Sequence, residues 1–541
     1  MGKLIETKID RFDGGIVNDP RDPREATARI MSNFNTISSP HKMTPYRSSE
    51  SGDASGSTQT IRNFVIARFD STPTFALYGL GVVSGTGRAQ VFRKALTTGS
   101  ANDLDDGDWT TTANNQSSTG ATAFSLFVFY PRTGLIYGSR AGTQIWAYDP
   151  TGVAVFADSH QALTTTDIGQ GIVHSKDDIL YIPYFNAAGP TAAIAKNNNG
   201  SWTNAALTLP THYMPVTICE YGNFLAIGCA HRDGLSNSRV FLWNRDSSLA
   251  TIHESIDWGT GSLVILEEID GELIGISQKG GTAAAGWFTG IPNGTAPHND
   301  RVFFRKLIGN KAFKFLELSA NHASTRNTTQ IPSYRQKVDN RLYFQMMIEL
   351  NGSVRDGVWS IGRSSPDAPL ALIHERTSNN NTALVTSDSM RGFFMVGDYL
   401  FQSYVAGGTH ATTKTDDSTT AFSHNSVYET KTFNGEKHGF DATFYKDLHE
   451  VSVMTEYMPT AGQITLAYQI NQNIGTSTWT TIFTNSTDNS ISHTANNVES
   501  GGTALPKDYK EIAFRILATG GAEVTGLRFV EEVKEKRYVA D

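Results

Sequence analysis

A two-part phrase recurs seven times between about residue 75 and residue 430 and constrains the fold more than any other feature. Its first part is a short apolar strand behind a Gly/Asp turn: Phe75-Ala76-Leu77-Tyr78, Leu135-Ile136-Tyr137-Gly138, Ile179-Leu180-Tyr181-Ile182, Phe224-Leu225-Ala226-Ile227, Leu273-Ile274-Gly275-Ile276, Leu342-Tyr343-Phe344 and Tyr399-Leu400-Phe401. Its second part is a β-branched or aromatic strand: Val91-Phe92, Ile145-Trp146, Ala193-Ile194, Val240-Phe241, Val302-Phe303, Val358-Trp359 and Val427-Tyr428. Successive second parts lie roughly 47 to 69 residues apart, near the upper end of propeller-type periods. Such a repeat predicts a ring of small antiparallel sheets, a β-propeller of about seven blades, with six to eight bounding the count. The fifth unit is ambiguous, because Trp287-Phe288 also fits its second strand.

Composition agrees with an all-β chain. Of 541 residues, 18% are charged and 39% hydrophobic, enough apolar matter to fold and too long for one ordinary core. A net charge of −8 argues against a concentrated basic face for nucleic acid and does not exclude a mildly acidic wall that DNA slides past without sticking. Cys219 and Cys229 are the two cysteines; no disulfide framework is expected, and small buried thiols are the simplest reading. No apolar run approaches the length of a membrane span, and the N-terminus lacks a signal core. Synthesis in a cytoplasm without classical export is the expectation.

Three regions are expected. Residues 1–55 read as a lead-in arm in which Asp22 caps a short helix, with Pro23 at its first position and Glu25 completing a capping box; Ala26, Ala28, Ile30 and Met31 carry that helix to Asn33. Residues 56–433 form the propeller, with matching turns at Lys176-Asp177-Asp178, Tyr221-Gly222-Asn223, Asp270-Gly271, Asp339-Asn340 and Gly397-Asp398. Residues 434–541 form a β-sandwich and a charged tail. There the strands lengthen and alternate, as in Glu511 to Leu517, where Ile512, Phe514 and Ile516 share a face.

The constellations that carry chemistry are weak. Asp103, Asp105, Asp106 and Asp108 surround Gly107, but the spacing of an EF-hand is absent and a solvated turn explains them better than Ca²⁺. The fourteen histidines include no zinc-type pair. No nucleophile elbow or P-loop occurs; Gly79 to Gly87 and Gly280-Gly281 read as blade-edge turns. Ser387-Asp388-Ser389-Met390-Arg391-Gly392 has the wrong order for a sialidase-type box. Glu267, Glu268, Asp270 and Glu272 are the carboxylates a propeller glycosidase would draw on, since glycosidic cleavage needs two across the bond. Trp146, Phe241, Phe303 and Trp359 read as wedges between blades in preference to a carbohydrate-stacking stripe. No catalytic residue, cofactor or metal ligand is assigned.

Three stretches carry a resemblance: Phe12-Asp13-Gly14-Gly15-Ile16; Asn33-Phe34-Asn35 with Pro45-Tyr46-Arg47; and Phe440 to Val533, with Trp479 before Thr480-Thr481. With the arm–propeller–sandwich order, the chain resembles structural tail proteins of tailed bacteriophages, of the nozzle type. The resemblance implies a virion component, not an enzyme. It would form a homo-oligomeric ring, a hexamer by expectation, around a DNA channel with a neutral or acidic lumen, and would contact an adaptor ring and fibres. A receptor- or glycan-binding propeller at the tail tip and a propeller glycosidase are the alternatives.

Overall fold

In a computed structural model of the chain, the described residues are 2–17, 26–36, 40–46, 49–51, 61–69, 74–82, 88–96, 122–140, 144–150, 156–163, 167–186, 191–233, 236–246, 248, 251–278, 301–319, 334–350, 353–378, 389–396, 399–406, 409–415, 422, 425–440, 442–476, 478–487, 490–496 and 504–534. The protein is all-β. Among these residues the only helical elements are 3₁₀ turns at Glu436–His438 and Asn471–Asn473, and no helix is long and apolar enough to cross a membrane. By contacts the chain divides into two units: Met1–Ser49 with Glu349–Ala383 and Ser418–Asp541, and Glu50–Ile348 with Leu384–Asp417.

The second unit is a propeller-like cycle of antiparallel sheets. Each sheet is a meander, because short turns connect antiparallel neighbours directly. In chain order the sheets are Ile61–Phe69, Thr74–Val82 and Ala89–Leu96; then four strands from Thr122–Tyr130 to Phe156–Ala162; then Leu180–Phe185, Ala192–Asn198 and Ser201–Thr208, with Asp167–Ile168 and Ile172–Val173 both paired to the first of these; then four from Tyr213–Tyr221 to Glu254–Gly259; and four from Ser262–Ile269 to Lys311–Ser319. Arg335–Val338 pairs with Arg341–Leu350, and Ser389–Val396, Tyr399–Ala406 and Thr409–Thr415 follow, joined at their edge by Ser49–Ser51.

Each sheet covers the next. Trp146 is buried with Tyr78, Leu80 and Val91 of the preceding sheet, and Phe241 with Tyr181, Phe185 and Ile194, so both aromatic residues wedge between neighbours. Phe304 meets Phe344 at 6.3 Å, and Gln345 Nε2 donates to the Gly392 carbonyl at 3.0 Å. The cycle closes where Phe394 and Phe401 pack on Ile61, Phe64 and Phe92. Cys219 and Cys229 are free and buried in two different intersheet clusters; burial pushes both thiols up.

The first parts of the repeated phrase fall on second strands and, through Val302-Phe303, the second parts fall on third strands. Val302-Phe303 pairs with Ser277-Gln278, so it holds the place that Trp287-Phe288, outside the described residues, was an alternative for. Val358-Trp359 and Val427-Tyr428 are different: they lie on Ser353–Gly362 and Ser426–Thr430, both in the first unit. The true neighbour of Tyr399–Ala406 is Thr409–Thr415, a Thr/Ala/Lys strand without the apolar pair.

In the first unit, Ser353–Gly362, Ala371–Arg376, Ala28–Ser32, Ser426–Thr430, Ile512–Thr519, Gln463–Ile470 and Thr480–Asn485 lie side by side in that order. A second sheet runs Lys3–Ile9, Val524–Val533, Lys446–Thr455, Ser492–Asn496. Phe529 of the second sheet contacts Phe514 of the first at 4.9 Å and Phe433 at 5.0 Å. The segments expected as arm and terminal domain thus both supply strands to this unit.

The expected N-terminal helix is corrected. Its cap, Asp22 to Glu25, lies outside the described residues, but Ala28–Ser32 is a strand paired with Ser426–Thr430. All five residues are buried, whereas a surface helix would turn one side to water. Arg29 is buried against Glu429 at 3.7 Å. Left-handed Ala26 (φ 60°) and Asn33 (φ 61°) bracket the strand.

Gly275 shows how close the sheets come: an added Cβ would stand 2.5 Å from Trp258 Nε1 on the preceding sheet. Gly275→Ala is expected to destabilise the chain by about 1–3 kcal/mol through overpacking, read from chemical denaturation. In the first unit Glu375 is buried and accepts hydrogen bonds from the Tyr46 and Ser360 hydroxyls; burial holds its carboxyl well above the usual range. The folded state therefore keeps a proton that the unfolded chain gives up. Stability from this site is full below the ordinary carboxyl range and is lost as pH rises through the raised value. Glu375→Gln should flatten the decline of Tm above about pH 5, measured by thermal melts across pH; an unchanged slope counts against it.

Candidate functional site

The innermost strands of the cyclic unit converge on a cavity of about 480 Å³. Pockets of this size, partly apolar with a few converging polar groups, are the usual place for a ligand. Phe64, Phe127, Phe129 and Phe394 form its apolar wall, and Gln170, Glu267, Arg335 and Lys337 its polar one.

Arg335 organises the polar wall. Its Nε donates to Glu267 Oε2 at 2.6 Å, one terminal nitrogen to Gln170 Oε1 and to Thr217 Oγ1 (2.8 Å), and the other to the Ile218 carbonyl at 2.6 Å. Every guanidinium nitrogen is engaged, and the side chain is 6% exposed. The planar five-donor fork suits such a junction, where a lysine would satisfy fewer partners. One residue thereby joins its own sheet to three others. Beside it, Lys337 Nζ contacts Glu268 Oε2 at 2.8 Å. Burial raises the Glu268 carboxyl, but hydrogen bonds from Lys337 and the Gly271 N–H, with the Lys337 charge, outweigh it and hold its pKa low. Tyr334 donates to the Phe64 carbonyl at 3.1 Å, and burial pushes its phenol up.

The carboxylates nominated from sequence are brought close but each has a structural partner. Glu267 and Glu268 pair with Arg335 and Lys337, Glu272 pairs with Lys306 at 2.8 Å, and Asp270 sits in the left-handed turn position (φ 50°). Glu267 alone of the four lines the cavity. Ser389 to Gly392 lie on an inner strand, while Ser387 and Asp388, the acidic loop from Asp103 to Asp108, and Gly280-Gly281 fall outside the described residues. Among the described residues no group of three or more His, Cys, Asp or Glu side chains could hold a metal. Sequence reading missed Arg335; the one signal available was the cation-x-cation pattern Arg335-Gln336-Lys337 set against Glu267-Glu268.

No protein-family model matches the chain, and no curated protein does. Solved structures that resemble it include the Dos1 propeller (11% identity over 70% of this chain and 89% of that one, TM-score 0.35) and the β-propeller domain of the Trilobed protease from Pyrococcus furiosus (10%, 66% and 96%, TM-score 0.36). A sialidase from Trypanosoma rangeli in complex with a difluoro-KDN ligand is similar over 97% of this chain and 95% of its own, at 10% identity and TM-score 0.33. No function follows from likeness at this level.

Removing Arg335 strands Glu267 in a largely buried position. Arg335→Met is expected to cost about 3–5 kcal/mol, with Glu267→Leu in the same chain recovering much of it. Urea denaturation of the single and double variants checks this; equal stability of Arg335→Met and wild type refutes the junction.

Proposed function

We propose that the chain is a structural protein of a bacteriophage tail, of the nozzle type, in which the sheet cycle is a seven-bladed propeller and the first unit holds a β-sandwich. The copies assemble as a ring, a homohexamer, around the DNA channel and help retain and release DNA. The observation that carries this reading is how the lead-in segment pairs with the segment after the repeat. Residues 3–9 form a sheet with 524–533 in continuous register from Lys3↔Val533 to Ile9↔Leu527, so the lead-in and terminal segments make one body.

The stretches that resemble nozzle proteins are joints of that body. Phe12 N–H donates to the Pro40 carbonyl at 2.8 Å and Gly14 N–H to the Ala26 carbonyl at 3.0 Å; the Phe12 ring meets Tyr428 edge-on at 5.3 Å. Trp479 lies under Arg515 at 4.6 Å, and Arg515 in turn holds Glu429 at 2.9 Å. Residues that tie strands together fit a wall better than a reaction centre. At the middle of the cycle, Glu267 is, among the described residues, the single carboxylate on the cavity lining and is bound to Arg335, whereas a retaining or inverting glycosidase needs two that face each other.

The test is the copy number and position of the chain in purified virions, by cryo-electron microscopy with antibody labelling. Six copies around an axial channel with a neutral or acidic lumen are expected. Three copies at a fibre tip, a strongly basic lumen, or absence from the particle together with glycan hydrolysis by the free chain overturns the reading.

A further inference from the structure

The first unit holds a second cavity, of about 460 Å³, between the segment 7–14 and the loop 431–438. We propose that it binds a neutral polyhydroxylated ligand, a mono- or disaccharide.

Six polar residues on its lining are more than nine-tenths buried: Thr7 (6% exposed), Asp13 (3%), Thr27 (3%), Tyr428 (1%), Thr432 (8%) and Glu531 (1%). Buried polar atoms are nearly always paired, and leaving one unpaired costs stability. Thr432 Oγ1 has no hydrogen-bond partner among the described residues. The carboxyls are each reached at one oxygen: Glu531 Oε1 by the Tyr509 hydroxyl at 2.7 Å, and Asp13 Oδ2 by Arg11 at 2.9 Å and by the Ser364 hydroxyl. The wall therefore offers acceptors and hydroxyls that no group among the described residues completes.

Charge decides the ligand class. A phosphate or carboxylate ligand would meet two buried carboxyls. A cationic ligand would meet Arg11, already on Asp13, with Lys8, Lys431 and Lys437 also on the lining; Asp10 and Glu436 lie there as well, so that these four cations stand against the four carboxyls Asp10, Asp13, Glu436 and Glu531 and the lining favours neither sign. A neutral ligand avoids both penalties. Burial pushes the Glu531 carboxyl up, which favours a form able to donate as well as accept. Sugar hydroxyls do both. Pro369 and Phe433 contribute apolar surface of the kind that the C–H face of a sugar ring covers.

The cavity is shaped before any ligand arrives. Left-handed Gly435 (φ 88°) and Gly439 (φ 78°) bracket the turn Glu436–His438, and His438 Nε2 is 3.0 Å from Thr7 Oγ1 on the opposite wall. Such preorganisation lowers the ordering cost of binding.

The experiment is saturation-transfer NMR on the full chain with glucose, galactose, mannose, N-acetylglucosamine, lactose and cellobiose, with inorganic phosphate and putrescine as charged probes. At least one sugar should bind at millimolar concentration. Tyr428→Phe and Thr432→Val should each weaken it, together on the order of tenfold, with melting curves that still show a folded chain. A crystal soaked in the bound sugar should place it against Tyr428, which decides the matter if either variant fails to fold. Binding by none of the sugars, binding indifferent to both substitutions, competition by phosphate or putrescine, or density elsewhere overturns the proposal.

Discussion

A short antiparallel sheet with apolar residues on both faces cannot stand in water; each face must be covered, and in this chain the cover is the next sheet. That requirement propagates until the last sheet finds the first. Here it does so through Phe394 and Phe401 on Ile61, Phe64 and Phe92, and through the Ser403 hydroxyl donating to the Ile61 carbonyl. Residues 49–51 then complete the edge of the final sheet, so the start of the unit is sewn to its end. The central cavity is a by-product of the same geometry: inner strands arranged in a cycle converge without meeting. The space left must be filled by side chains long enough to cross it, and Arg335 does this by reaching three neighbouring sheets at once.

What could be read in the sequence follows from burial. The phrase marks the central strands of each sheet because those are covered on both faces and so are apolar throughout. Leu180–Phe185 is buried at all six positions, and Phe224–His231 at all but its ends. Outer strands are half-solvated and alternate, as Ser201–Thr208 does over its first half, and their weaker signal gives no count. Thr409–Thr415 fails for this reason: a strand of threonines with Lys414 sends the pattern on to Val427-Tyr428, in another unit. The helix failed for the opposite reason. Ala28 to Met31 has good helix formers, but tertiary pairing on both edges outweighs a propensity of a few tenths of a kcal/mol per residue, and the ion pair with Glu429 lets even Arg29 go inside.

The site was legible only in halves. Glu267 and Glu268 stand out as a carboxylate pair, and nothing near them in sequence suggests that they are neutralised. Their partners lie 68 and 69 residues away on a four-residue strand that reads as polar surface. A periodic pattern reports which residues are inside, not which charge on one sheet faces which charge on the next. The cavity of the first unit is harder still, since its walls come from residues near 10, near 430 and at 531, and no local pattern links them.

The two cavities differ in how far their polar groups are satisfied, and this difference separates structure from a candidate binding place more sharply than size does. At the centre of the cycle each nitrogen of Arg335 has an acceptor, Lys337 has Glu268 and Tyr334 has the Phe64 carbonyl. A ligand entering there would have to break charge-assisted bonds, each stronger than a neutral one, before making its own. In the first unit the balance is reversed: among the described residues Thr432 carries a buried hydroxyl without a partner, and Asp13 and Glu531 are each bonded at one carboxyl oxygen. A ligand there gains bonds and breaks none of those. Physical economy places small-molecule recognition away from the repeat, in the body that residues 3–9 and 524–533 help to build.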